Sequence, residues 1–133
     1  MTSRAYSLTY RYEPNQGLLS TETAARGTDF SKTLTSTYPH GGLKTKQLSD
    51  AKGVSSITYK PSGMMDVMAY TNGNTLSLTE QGDMARLSNV EVTRSGSTLW
   101  STGMYAYDGA GNIKAIGPGY GLSLADAFTY DTL

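Results

Sequence analysis

"YAYDGAGNIKAIG", residues 105–117, decides how the rest of the chain is read. In an extended chain Tyr105 and Tyr107 share one face, and Met104 and Ala106 share the other. Asp108 comes next, then Gly111, Asn112 and the alternation Ile113-Lys114-Ala115. Aspartate at the first position and glycine at the fourth is the preference of a type I turn. The carboxylate can accept a backbone N–H two residues on. Gly111 can take the positive φ that closes a turn plus bulge. The stretch predicts two strands joined by a tight turn, with Asp108 at the corner.

The same pattern echoes along the chain. "STYPHGGLKTKQL" (36–48) and "ITYKPSGMMDVM" (57–68) carry Tyr38 with Gly42 and Tyr59 with Gly63, at the same spacing as Tyr107 with Gly111. "YRYEPNQGLLSTE" (10–22) has one extra residue before Gly17, and "AFTYDTL" (127–133) opens a further copy with Tyr130 and Asp131. "SLTEQG" (77–82) is a weaker copy. In "KPSG", Pro61 presets φ and Ser62 stands in as a weaker hydrogen-bonding group. Asn72-Gly73 is a strong hairpin signal. "LSNVEVTRSGSTLW" (87–100) reads as another hairpin, with Val90 and Val92 on one face and "RSGS" as its loop. A period of roughly 20–28 residues belongs to arrays of small units and suits two short strands rather than a strand–helix–strand. The chain is expected to be all-β, about six serial antiparallel hairpins across 1–133 with no domain boundary. Two places read otherwise: "TAARGTDFSKTL" (23–34) shows no clear periodicity, and "LSLADAF" (122–128) could form two helical turns or a loop.

Composition agrees. The chain has 133 residues, with an apolar fraction of 38% and a charged fraction of 17%, both low for a globular protein. Ser, Thr, Gly and Tyr fill the difference, and they favour strands and turns. The formal net charge is zero, which gives no basic footprint for nucleic acid. No apolar run is long enough for a membrane span. "MTSRAYSLTYRY" lacks the apolar core of a signal peptide. Without cysteine there is neither a disulfide framework nor a thiolate metal site.

Candidate chemistry is sparse. The acids are scattered one per hairpin, whereas two-carboxylate hydrolysis needs a pair at fixed separation. His40 is the only histidine, too few for a zinc site of three or four ligands, and "YPHGG" places it in a loop. "GPGYG" (117–121) lacks the Lys-Ser/Thr and the following helix of a phosphate loop. The expectation is no enzyme, no cofactor and no metal. Tyr12, Tyr38, Tyr59, Tyr107 and Tyr130 recur with the repeat and suit cross-strand packing. Tyr70, Trp100 and Tyr120 are free to form a ligand surface, for which carbohydrate is the candidate. Hairpin repeats of the choline-binding type build such pockets from paired aromatics, but this chain has one tryptophan and no Trp-Tyr-Tyr run.

"YAYDGAGNI" (105–113) and "FTYDTL" (128–133) resemble YD repeats, also called Rhs (rearrangement hotspot) repeats. "ITYKPSGMMDVMAYTNGN" (57–74) resembles their Tyr-x-Pro-x-Gly variant, and "DMARLSNVEV" (83–92), with Arg86 and Leu87, the arm that follows. The likeness is strongest over 57–133. Glu13, Pro39 and Lys60 stand where the motif has aspartate. The resemblance implies part of a spiralling β-shell. In bacterial toxins and insecticidal toxin complexes such a shell encloses a toxic C-terminal polypeptide; in teneurins it is an adhesion scaffold. It also implies a fragment of a longer, secreted or surface-exposed parent, whose partners are neighbouring repeats and the enclosed polypeptide. The family's self-cleaving segment has no match here, so no catalytic residue is carried over. On this reading the repeat motif residues are Tyr38, Gly42, Tyr59, Gly63, Asn72, Gly73, Arg86, Leu87, Tyr105, Tyr107, Asp108, Gly111, Asn112, Tyr130 and Asp131.

Overall fold

A computed structural model describes residues 5–39, 42–82, 84–119 and 126–130. The strands are β1 (Tyr6–Tyr12), β2 (Leu19–Arg26), β3 (Phe30–Thr37), β4 (Lys46–Ser49), β5 (Lys52–Tyr59), β6 (Met65–Tyr70), β7 (Asn74–Gln81), β8 (Met84–Arg94), β9 (Ser97–Ser101), β10 (Tyr105–Tyr107), β11 (Ile113–Ile116) and β12 (Asp126–Ala127). They pair in chain order, β1 to β9 in one sheet and β10 to β12 in another. The protein is all-β and built of antiparallel hairpins, with no helix among the described residues. The hairpins are not separate. Inner strands belong to two of them at once, which makes a meander. Of "LSLADAF", residues 122–125 lie outside the described residues, while Asp126–Ala127 pair with β11 as a strand.

The chain forms two units: Met1–Ile57 with Ala69–Asn72, and Thr58–Met68 with Gly73–Leu133. In the first, 23–34 is a regular hairpin and not an irregular segment. β2 and β3 pair from Thr21↔Thr35 to Arg26↔Phe30, and Gly27 turns the chain at φ 55°. The alternation expected of a half-buried strand is missing because both faces are at least partly exposed. Threonine rows replace it: the Thr23 and Thr33 hydroxyls lie 2.9 Å apart across the ladder.

The connection from β3 to β4 differs from the expected tight turn at Tyr38–Gly42. Thr37 pairs with Lys46, and the Thr45 N–H donates to the Thr37 carbonyl at 2.9 Å, so the loop runs from 38 to 45. Pro39 has no N–H to close a short hairpin. The Lys44 Nζ lies 5.8 Å from the centre of the Tyr38 ring instead.

β4 and β5 are joined by Asp50 and Ala51, at φ 49° and 58°, with Ser49 paired to Lys52. Two positive φ values define the type I′ turn favoured by hairpin twist, where Asp-Gly is the preferred pair. Asp50 fits and also forms an ion pair with Lys32. Ala51 does not, because a left-handed L-residue costs about 1–2 kcal/mol. Ala51→Gly is expected to stabilise this hairpin by about 0.5–1 kcal/mol. A thermal melt should show a rise of a few degrees, and an unchanged or lower midpoint would contradict the assignment.

In the second unit β7 and β8 pair from Asn74↔Arg94, with Leu76 opposite Val92 and Leu78 opposite Val90. β9 adds Trp100 opposite Val92. Leu76, Val92 and Trp100 thus form one cross-strand row. Ser95-Gly96, at φ 50° and 80°, closes the β8–β9 hairpin. The β6–β7 connection is Thr71-Asn72-Gly73, with Gly73 at φ 85°. It is a three-residue loop with the glycine left-handed, not a two-residue Asn-Gly turn.

Little is buried. Among the described residues Ile57 is the buried apolar side chain, and Ser36 and Ser88 are the buried polar ones. Backbone ladders and cross-strand pairs carry the stability that a thick core would otherwise supply.

Candidate functional site

Around Asp108 the local geometry is a closed turn. The Asp108 N–H donates to the Asn112 carbonyl at 3.0 Å, and the Gly111 N–H to the Asp108 carbonyl at 3.1 Å. Gly111 sits at φ 91°. Asp108 Oδ1 accepts the N–H of Ala110 at 2.9 Å and of Asn112 at 2.8 Å, while Oδ2 accepts the Asn112 side-chain amide at 2.9 Å. Donation from the Asn112 side chain, then from its backbone N–H, holds the carboxyl below the ordinary carboxylate range. This is a carboxylate occupied in a corner, and among the described residues no second acid acts on it.

That lowered value carries a pH signature. The stabilisation from ionised Asp108 is complete above the unfolded carboxylate pKa of about 3.9. It is lost as pH falls through the lower folded value. Melting curves of wild type and Asp108→Asn should therefore differ most at neutral pH and converge in strong acid. A constant gap across the acid range would contradict this.

Two other turns have the same backbone frame without aspartate. At "KPSG" the Lys60 N–H donates to Met64 O and the Gly63 N–H to Lys60 O, both at 2.9 Å. Gly63 is at φ 86°. Ser62 Oγ accepts the Met64 N–H at 3.3 Å, and Lys60 forms an ion pair with Asp66 at 2.7 Å. At "EPNQG" the Glu13 N–H donates to Leu18 O at 2.7 Å, and the Gly17 N–H to Glu13 O at 2.9 Å, around the extra residue.

Tyr107 reaches from β10 back to β8. Its hydroxyl donates to the Leu87 carbonyl at 2.6 Å, the Arg86 guanidinium lies 4.3 Å from its ring centre, and Tyr105 stacks on it at 6.4 Å between centroids. Arg86, Leu87, Tyr105 and Tyr107 are thus brought together. The hydroxyl–carbonyl bond recurs: the Tyr130 hydroxyl donates to the Ile113 carbonyl at 2.7 Å. Ile113 opens β11 opposite Tyr107, while Leu87 lies inside β8 opposite Glu80. In both cases a tyrosine hydroxyl closes on the backbone of the preceding copy.

The candidate ligand aromatics are dispersed. Tyr70 borders a recess with Lys52, Gly53 and Asn72 in the first unit. Trp100, half exposed, borders one of about 260 Å³ in the second, with Tyr105, Ile116 and Asp126. Asp126 carried no signal in the sequence, because β12 is too short to show a pattern. A third recess, of about 440 Å³, is lined by Thr33, Thr35, Lys46 and Asp50. No group of three or more His, Asp or Glu gathers among the described residues to hold a metal. His40, Tyr120 and Asp131 lie outside the described residues. No helix among them is long and apolar enough to cross a membrane. No protein-family model matches the chain, and no curated protein matches it.

Proposed function

We propose that this chain is a wall segment of a YD-repeat shell that encloses a toxic C-terminal polypeptide and helps deliver it. The recurring tyrosine bond carries the reading, from Tyr107 to Leu87 and from Tyr130 to Ile113. Each tyrosine ties one copy of the unit to the backbone of the copy before it, so the sheet can grow by adding copies. The work of such a wall is containment, and its partners are the neighbouring repeats and the enclosed polypeptide. The reading places the protein in a secreted or surface-exposed parent. An antibody raised against this chain should detect, in the source cells, a polypeptide far larger than 14.2 kDa. The C-terminal part of that polypeptide should resist protease until the shell is denatured. A 14.2 kDa product alone would overturn the proposal.

The alternative is a carbohydrate-binding module, favoured by the recess that sets Trp100 and Tyr105 beside Asp126. An aromatic face with a carboxylate at its rim suits a sugar ring, which presents C–H on one face and hydroxyls at its edge. Glycan-array binding lost in Trp100→Ala would support it, and no binding by the wild type would reject it.

A further inference from the structure

β1 is open to solvent along its whole length. Tyr6, Leu8, Tyr10 and Tyr12 share one face, and each is between 47% and 64% exposed. Among the described residues no strand pairs with the outer edge of β1. Which backbone groups point outward follows from the ladder. The Gly27 N–H donates to Ala5 O at 3.1 Å, and Tyr6 stands opposite Arg26. Hydrogen-bonding direction alternates along a strand. Ala5, Ser7, Thr9 and Arg11 therefore turn their N–H and C=O toward β2. Tyr6, Leu8, Tyr10 and Tyr12 turn theirs outward, and the apolar row is also the row with unpaired backbone groups. Natural edges are blunted by lysine, proline or an inward-pointing charge. β1 has no lysine and no proline, and its one charge, Arg11, is on the polar face.

We propose that β1 is an interaction surface through which two copies of this chain join edge to edge, antiparallel, about a two-fold axis at Thr9. This register is self-complementary. Leu8 stands against Tyr10 of the second copy and Tyr6 against Tyr12, so outward-facing groups meet outward-facing groups along the entire strand. Aromatic–aromatic and aromatic–aliphatic cross-strand pairs are favourable. Arg11 meets Ser7, and no like charges oppose each other. Thr9 meets Thr9 and continues the Thr9–Thr23–Thr33 row across the axis. Shifting the axis to Tyr10 sets Pro14, which has no N–H, against Tyr6. Shifting it to Leu8 sets Arg4 against Tyr12 and breaks the aromatic row. Odd shifts match outward groups with inward ones. This pairing uses only residues of the 133-residue chain and does not rest on the shell reading. One strand pair lies at the low end of stable interfaces, below about 1,200 Å², so the expected Kd is on the order of 10 μM.

Sedimentation velocity across that concentration range should show a monomer–dimer equilibrium. Thr9→Lys and Thr9→Glu each put like charges on the axis and should weaken it at least about tenfold, while mixing the two variants should restore it. The chain has no cysteine, which allows a second test independent of those charges. Opposed residues of a non-hydrogen-bonded pair stand about 4.5 Å apart, within disulfide range. With oxidised glutathione as the oxidant, which is reduced to two thiols, Thr9→Cys should form a disulfide-linked dimer, and Ser7→Cys, which faces Arg11, should not. Circular dichroism checks that each variant keeps its strands. A monomer at every concentration, undiminished dimerisation of Thr9→Lys, or equal cross-linking at Ser7 would each overturn the proposal.

Discussion

Gly103→Ala is expected to abolish the native packing of the second unit. Gly103 sits between β9 and β10 at φ 72°, and a Cβ there would lie 2.1 Å from the Pro118 carbonyl oxygen and 2.5 Å from the Gly117 Cα. Both neighbours are backbone, so no side-chain rotation relieves the overlap. The left-handed backbone adds about 1–2 kcal/mol for any L-residue. Overpacking costs about 1–3 kcal/mol on top, and more where main chain must be displaced. A folded domain has only about 5–15 kcal/mol to lose. Hydrogen exchange should show protection of the Thr102 and Gly117 amides collapsing, since they bond to Val90 and Met104 across the affected segment. Gly109→Ala is the control. A Cβ at Gly109 meets nothing within 4 Å, and its melting point should hold within a degree or two. Equal behaviour of the two variants would refute the close approach at Gly103.

Tyr107 should give the next largest effect. Tyr107→Phe leaves the Leu87 carbonyl without its hydroxyl donor and should cost about 1 kcal/mol. Tyr107→Ala also removes the ring that contacts Arg86 and Tyr105, and about 2–4 kcal/mol is expected. Tyr130→Phe removes the equivalent bond at a more exposed place, 55% accessible, and should cost less than Tyr107→Phe. Urea unfolding of the three variants gives the order directly. If Tyr107→Phe were neutral, the hydroxyl–carbonyl bond would not be what joins these copies.

The hairpins were legible because their turns have chemical names: Ser95-Gly96, Pro61-Ser62-Gly63 and Asp108 with Gly111 announce themselves by residue type. The strands of 23–34 were not. A strand with both faces partly exposed has no hydrophobic period to display. Ala51 gave no warning of a left-handed turn, since nothing about alanine requests positive φ. The candidate site was half legible. Tyr107, Arg86 and Leu87 stand out in the sequence as repeat residues, but the acceptor of the tyrosine hydroxyl is a backbone carbonyl, which every residue has. The recess beside Trp100 depends on Asp126, brought there by a strand of two residues. Gly103 was silent for a similar reason, because its crowding comes from Pro118, a residue outside its own hairpin.

The meander topology has a kinetic consequence. Each ladder joins strands that are neighbours in the chain, and most of the connections are only a few residues long. Closing such loops costs little entropy, and folds rich in local contacts cross their barriers quickly. A hairpin such as β8–β9, already turned by Ser95-Gly96, can form in about 1–10 μs and act as a template for the strand on either side. Folding can start from more than one hairpin and spread outward, as in other stacked repeats. A chain of this kind can order itself progressively as it emerges, without waiting for its far end.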